Sequence, residues 1–275
     1  MTTSTTVSIV RVGRRARTGA EVAPKAGKIG RCGSICSTCN LRELCQPCCG
    51  LTRSERDVAG RLQFYSSRLR RGETLYRVGD RFTCLYAVRD GFFKSVAPLE
   101  NGRDQVTGFS MTGDVVGMDG IGSERHACKA IALEDGEVCV IPFAGLQELT
   151  REIPSLQRDL NKLMSRQIAR GNGMILQLGA MTAKERLAMF LLDLSRRFAA
   201  RGHSSSEFRL PMSRCEIGSY LGLTLETVSR MFSGFEENKL IGVQRKSIHI
   251  LDGAGLERLM GRKPDGRRAR AARGD

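Results

Sequence analysis

Between Arg70 and Phe143 the chain alternates short β-prone runs with turns built on glycine and aspartate, and that rhythm restricts the fold more than any other feature. The runs are Thr74-Leu75-Tyr76, Leu85-Tyr86-Ala87-Val88, Phe92-Phe93-Lys94-Ser95-Val96, Gln105-Val106-Thr107-Gly108-Phe109, Val115-Val116 and Val138-Cys139-Val140-Ile141. Turns are expected at Gly79-Asp80, Asp90-Gly91, Asn101-Gly102 and Gly113-Asp114. Strands this short and this evenly spaced predict a double-stranded β-roll or jelly roll. Upstream, Leu51 to Leu69 predicts a short helix, with Thr52 as cap and Glu55 three residues on.

The period changes after Pro154. Leu156, Leu160, Leu163, Met164, Ile168, Gly171, Ile175 and Leu178 recur at spacings of three and four, which predicts one long amphipathic helix. Within it Met164, Ile168, Gly171, Ile175 and Leu178 form a narrow heptad-like seam, suited to a dimer contact rather than to a wide core. Gly171 and Gly173 lower helix propensity but permit close backbone approach. A second amphipathic helix is expected from Lys184 to Ala200, with Leu187, Phe190, Leu191, Leu194 and Phe198 on one face, before a polar loop at His203 to Glu207.

Residues 211–251 carry a strong local signature of function. Ser213-Arg214-Cys215-Glu216 is a capping box that opens a short helix through Ile217, Tyr220 and Leu221. Gly222-Leu223-Thr224 makes a tight turn, and Thr224 caps a second helix from Leu225 to Phe232. Val228, Met231, Phe232 and Phe235 face inward, while Glu226, Thr227, Ser229, Arg230 and Ser233 face outward. Helix, glycine turn and helix, with polar groups at the front of the second, is the helix-turn-helix arrangement. Ile241 to Gln244 and Ser247 to Leu251 then predict two strands around Arg245-Lys246, a wing. Arginine donates two hydrogen bonds to guanine, and a carboxylate accepts from the cytosine amino group. Glu226 and Arg230 stand four apart on one face and suit one G·C pair, with Ser229 free for a neighbouring base or a phosphate. Alone, such a pair would serve only the helix, by ~0.2–0.5 kcal/mol; the adjoining turn and wing favour base contact. Arg214, Arg245 and Lys246 are expected on phosphates. The net charge of +15 agrees with a polyanionic partner, either nucleic acid or an acidic membrane surface, and the helix-turn-helix points to double-stranded DNA.

Six of the ten cysteines fall within residues 32–49, at positions 32, 36, 39, 45, 48 and 49. Thiolates this dense suit a soft metal centre. No signal-peptide core or membrane span is evident, so a cytoplasmic, reducing setting is expected, where clustered thiols bind metal more often than they form disulfides. Spacing does not choose a further ligand among Cys84, Cys128 and Cys139. The chain therefore reads as α+β. A disordered basic arm over 1–31 and a cysteine-rich segment over 32–50 precede a β-roll sensor over 51–153. A dimerisation helix over 154–182, a winged helix-turn-helix over 183–262 and a basic tail over 263–275 follow.

These residues resemble the regulator superfamily of the cyclic AMP receptor protein. Within it, the spacing Cys36-x2-Cys39-x5-Cys45 is similar to that of the fumarate and nitrate reduction regulators. The likeness continues through Leu85-Tyr86-Ala87-Val88-Arg89, Gly113-Asp114-Val115-Val116-Gly117, Val138-Cys139-Val140-Ile141-Pro142, Leu194-Ser195-Arg196-Arg197-Phe198-Ala199, Glu207-Phe208-Arg209-Leu210 and Tyr220-Leu221-Gly222-Leu223-Thr224, and covers about residues 32–262. The resemblance implies an oxygen-labile [4Fe-4S] cluster on Cys36, Cys39, Cys45 and Cys139. It also implies a homodimer through the long helix, and inverted-repeat sites with TTGAT-like halves read by Glu226, Ser229 and Arg230. Loss of the cluster on exposure to oxygen would weaken the dimer and release DNA. It further implies a contact with RNA polymerase near Leu99 to Asp104. Cys32 has a family counterpart that is usually not a ligand, Cys48 and Cys49 are additional, and Cys84 and Cys215 are expected in packing. One departure stands out: the family often carries an acidic residue where this chain has Gly171, so the cluster-free dimer is expected to form more readily here.

Other readings are a cyclic-nucleotide regulator, a structural zinc on Cys32, Cys36, Cys39 and Cys45, and an enzyme. Arg125-His126-Ala127 faintly echoes a phosphate-binding arginine, but Gly117-Met118 stands where a ribose-holding Gly-Glu would be. The histidines at 126, 203 and 249 are scattered and no substrate fingerprint accompanies them, so no catalytic site is expected.

Overall fold

The computed structural model describes residues 64–261. Eight short strands build the roll: β1 Tyr65–Leu69, β2 Thr74–Tyr76, β3 Cys84–Asp90, β4 Phe92–Pro98, β5 Asp104–Met111, β6 Val115–Val116, β7 Lys129–Ala132 and β8 Gly136–Pro142. They pair antiparallel in two four-stranded sheets of order β1-β8-β3-β6 and β2-β7-β4-β5. Phe93, Leu85, Val88, Val138 and Val140 are sealed inside it. All six strands expected from the sequence are present. Two others were not anticipated. In β7, Ala130 and Ala132 alternate inward with Lys129 and Ile131, but alanine and lysine are weak strand formers, which hides the pattern.

The other is β1, and it corrects the helix expected over Leu51–Leu69. Residues 51–63, with Thr52 and Glu55, lie outside the described residues; the remainder is strand. Ser67 and Leu69 are buried on either side of exposed Arg68, a period of two, and the strand pairs Tyr65 with Val140 through Leu69 with Gly136. The open edge of β8 thus overrides local propensity.

Helix α1, Phe143–Glu152, closes the roll by burying Leu146 and Leu149. Pro154 then sits at the first turn of α2, Pro154–Ala180, where its missing N–H is harmless. At 27 residues α2 is about 40 Å long. Its foot is held by Leu156 and Leu160, which join α1, Leu85, Ala87, Val115 and Cys139 in one apolar cluster. Leu163 is partly buried on the same cluster, and beyond it Met164, Ile168, Ile175, Leu176 and Leu178 are exposed.

Thr182 and Glu185 form a capping box for α3, Ala183–Ala199, so only Met181 and Thr182 separate α3 from α2. Strand β9, Glu207–Arg209, and helices α4, Arg214–Leu221, and α5, Leu225–Glu237, follow. Strands β10, Ile241–Gln244, and β11, Ser247–Ile250, then lead into α6, Gly253–Leu259. The wing is a three-stranded sheet of order β10-β11-β9; its third strand and α6 were not foreseen.

The two halves share a core. Phe92, Val96, Val106 and Phe109 of the roll lie in one cluster with Leu187, Phe190, Leu191, Ile217 and Leu221. Phe109 meets the rings of Tyr220 and Phe190 at 5.2 and 6.0 Å. Lys94 reaches Glu216 at 2.6 Å, and the Val106 amide donates to Ser219 Oγ at 2.9 Å. Among the described residues no helix is long and apolar enough to cross a membrane.

Candidate nucleic-acid interface and thiol site

The reading head is built by its caps. Ser213 accepts from the Glu216 amide at 3.2 Å while Glu216 accepts the Ser213 amide at 2.7 Å, which fixes the start of α4. Gly222 ends α4 with φ 65°, the left-handed region that favours glycine. Gly218 is equally constrained: a Cβ there would stand 2.6 Å from the Leu223 carbonyl oxygen, so the turn closes only over glycine. Thr224 then caps α5 by accepting from the Thr227 amide at 3.2 Å.

Val228, Met231, Phe232 and Phe235 are buried, so the opposite face of α5 is turned out. Glu226, Ser229 and Arg230 are all exposed on it. Hydrogen bonds from its own backbone amide and from Thr224, with the nearby Arg230 charge, hold the Glu226 carboxyl below the usual range. It is therefore an anion at neutral pH, as acceptance from a cytosine amino group requires. Arg245 is exposed at the tip of the β10–β11 hairpin with φ 57°. Lys246, beside it, reaches the Pro211 carbonyl at 3.3 Å. Arg214 lies differently: its guanidinium covers the Phe232 ring at 3.1 Å from the centroid, and burial pushes its pKa down to about 10, so it stays cationic at neutral pH.

Met164, Ile168, Gly171, Ile175 and Leu178 are all exposed along α2, Ile168 by 65% and Ile175 by 69%. Leu176, outside the anticipated seam, is exposed as well. Nothing lies within 4 Å of a Cβ built on Gly171 or Gly173.

Cys36, Cys39 and Cys45 lie outside the described residues, as do Cys32, Cys48 and Cys49. Cys139 sits on β8, buried to 7% exposure, opposite Ser66 of β1 and Ala87 of β3. Phe64, the first described residue, packs against the cluster that contains this thiol. Among the described residues no three His, Cys, Asp or Glu side chains converge as a metal site. Cys84 is half-buried in packing, as expected. Cys215 is not: it is exposed, because its place in the first turn of α4 faces outward. Burial foremost, with the Asp119 charge, pushes the Cys128 thiol up to about 12, and it donates to Asp119 at 3.3 Å.

The stretch that echoes a nucleotide-binding loop is filled by the protein itself. His126 is buried and stacks on Tyr76 at 3.8 Å. Its Nδ1 lies 3.4 Å from Asp119, and Arg125 donates to the Gly79 carbonyl at 2.8 Å.

Comparison with known proteins agrees with this architecture. Residues 66–152 match the cyclic nucleotide-binding domain family and residues 185–259 the Crp-like helix-turn-helix domain family. The transcriptional regulatory protein btr of Bordetella pertussis is 44% identical over 223 residues, 81% of this chain and 92% of that protein. The fumarate and nitrate reduction regulatory protein of Escherichia coli K12 is 42% identical over 222 residues, 81% and 88% of the two chains. The structure of FixK2 from Bradyrhizobium japonicum superposes with a TM-score of 0.66 at 31% identity, covering 70% of this chain and 96% of that one. These relatives are regulators, not enzymes. The chain belongs to the CRP/FNR family of DNA-binding transcription regulators, in the branch of the fumarate and nitrate reduction regulatory proteins.

Proposed function

We propose that this regulator is an oxygen-responsive homodimer that holds a [4Fe-4S] cluster on Cys36, Cys39, Cys45 and Cys139. The observation that carries the reading is the setting of Cys139. It is a buried thiol on the roll, in the same cluster as Phe64 and as Leu156 and Leu160 at the foot of α2. Four thiolates are the donor set such clusters take. Bound there, the cluster would supply an oxygen-sensitive tie between the cysteine segment and the roll. The residues around Cys139 transmit packing: Ala87 faces it across β3, and Leu156 anchors the helix whose outer half carries the dimer seam.

The seam of Met164, Ile168, Gly171, Ile175 and Leu178 would pair two chains, and two copies of α5 would enter successive major grooves about 34 Å apart. Glu226, Ser229 and Arg230 read the bases of TTGAT-like half-sites, and Arg214, Arg245 and Lys246 hold phosphates. In this reading the loop Leu99 to Asp104 faces RNA polymerase and the protein works in the cytoplasm. The ring stack of Tyr76 and His126, with Arg125 bound to the Gly79 carbonyl, speaks against a cyclic nucleotide as the signal.

Anaerobic purification tests this. A brown protein with iron and sulfide that loses DNA binding on air exposure is expected, together with loss of the chromophore in Cys139→Ser. A colourless protein carrying zinc would overturn it.

A further inference from the structure

Asp114 stands at the edge strand of the roll and is contacted from both other parts of the molecule. Its side chain is 2% exposed. Oδ1 accepts from Arg170 of α2 at 3.4 Å and from Arg201 at 3.0 Å. Oδ2 accepts from Arg197 of α3 at 2.5 Å and from the Met111 amide at 2.9 Å. The arginines are tied in turn to the roll. Arg197 also donates to the Phe109 carbonyl at 3.0 Å, and Arg201 to the Thr112 carbonyl.

This arrangement bears on a geometric requirement. A dimer that reads an inverted repeat must hold its two recognition helices at a fixed separation and rotation. The covalent link between α2 and α3 is two residues, Met181 and Thr182, in extended conformation. Two torsion pairs cannot set a direction alone. Asp114 supplies the missing constraint, because one carboxylate is shared between α2 and the end of α3. The β5–α4 contacts add a second support farther along, through Val106 and Ser219. Both supports leave Glu226, Ser229 and Arg230 exposed.

We propose that Asp114 is a positioning residue for DNA recognition: by holding Arg170 against Arg197 and Arg201 it fixes the reading head relative to the dimerisation helix, and so sets the half-site spacing the protein accepts. The proposal rests on the DNA-binding function of the family and on the dimer through α2 proposed above, not on the cluster. The test uses the full chain, prepared anaerobically, and the duplex that the parent protein itself selects from a randomised pool. Binding is then measured on that duplex and on versions with one base pair added to or removed from the spacer.

The parent is expected to lose about tenfold or more in affinity on the altered spacers, which shift the half-sites by ~3.4 Å and about a tenth of a turn. Asp114→Asn is expected to bind the selected duplex more weakly while losing only about threefold or less between spacers, at an unchanged sedimentation coefficient. Where Asp114→Asn does not fold by circular dichroism, Arg170→Ala carries the test, since that side chain is 53% exposed and outside the core. Faster hydrogen exchange at the Val106 amide in the variant is expected alongside. A folded, dimeric variant with the parent's spacer penalty would overturn the proposal, whether its affinity is unchanged or lowered equally on every spacer.

Discussion

Asp114 and Asp119 lie five residues apart on the same stretch of the roll, yet their partners come from opposite sources. Asp119 is satisfied locally: it accepts the Ala127 and Cys128 amides at 2.9 and 3.1 Å, the Cys128 thiol at 3.3 Å, and lies 3.4 Å from His126. Asp114 is satisfied from afar, by arginines 56, 83 and 87 residues along the chain. Burial would raise both carboxyls, and in each case the partners outweigh it. Arg197 and Arg170 foremost hold Asp114 below the usual carboxylate range, and the His126 hydrogen bond does so for Asp119. The difference is one of scope. The Asp119 network can form within the roll alone; the Asp114 network exists only when the roll, α2 and the end of α3 are assembled.

The largest effect expected from this contrast is Asp114→Ala. It leaves three guanidinium groups facing one another around an empty acceptor, a loss of ~3–5 kcal/mol for a broken buried ion cluster. Urea denaturation checks it, and a loss no larger than that measured for Asp119→Asn would put the two aspartates on the same footing. The same network predicts acid sensitivity. A carboxyl held low in the folded state contributes fully above its unfolded pKa of ~3.9, and that contribution is lost as pH falls through the lower folded value. Asp114→Asn should therefore flatten the fall in melting temperature below about pH 4.

The contrast also marks what the sequence makes legible. Gly113-Asp114 reads as a turn, and it is one: Gly113 has φ 87° and the Asp114 amide bonds to Met111. Its role as an acceptor for three arginines has no local signature, because nothing within the roll's own sequence points to residues 170, 197 and 201. The helix-turn-helix is legible for the opposite reason. Its caps at Ser213 and Thr224, its glycine turn and its inward residues all lie within a few residues of what they contact. Strand β1 fails the same test, since its partner is β8, some seventy residues on. Cys139 is intermediate: spacing leaves it level with Cys84 and Cys128, the resemblance of its strand singles it out, and the folded roll adds its burial in the cluster that holds Phe64 and the foot of α2.

Asp119→Asn should cost less, ~1–3 kcal/mol for a disturbed set of buried hydrogen bonds, because no like charges are left facing each other. It carries a second signature. Burial and then the Asp119 charge raise the Cys128 thiol, so removing the charge lowers its pKa from about 12 while burial keeps it above the ordinary value. Peptide-resolved alkylation should show Cys128 reacting faster in the variant at alkaline pH. An unchanged rate would mean that Asp119 does not face this thiol in solution.

Arg170→Ala is the smallest change expected and tests whether the Asp114 network is graded. Arg170 is half-exposed and reaches Asp114 at 3.4 Å, against 2.5 Å for Arg197. Solvent screens such a contact, so the substitution should lower stability by only ~0–1 kcal/mol, far below Asp114→Ala. The two substitutions combined should still fall short of the sum of the single effects, because residues in contact couple by ~0.5–3 kcal/mol. Strict additivity in the double-mutant cycle would show that α2 is not held by this carboxylate. The network would then be a local tie between roll and α3, much closer in kind to that of Asp119.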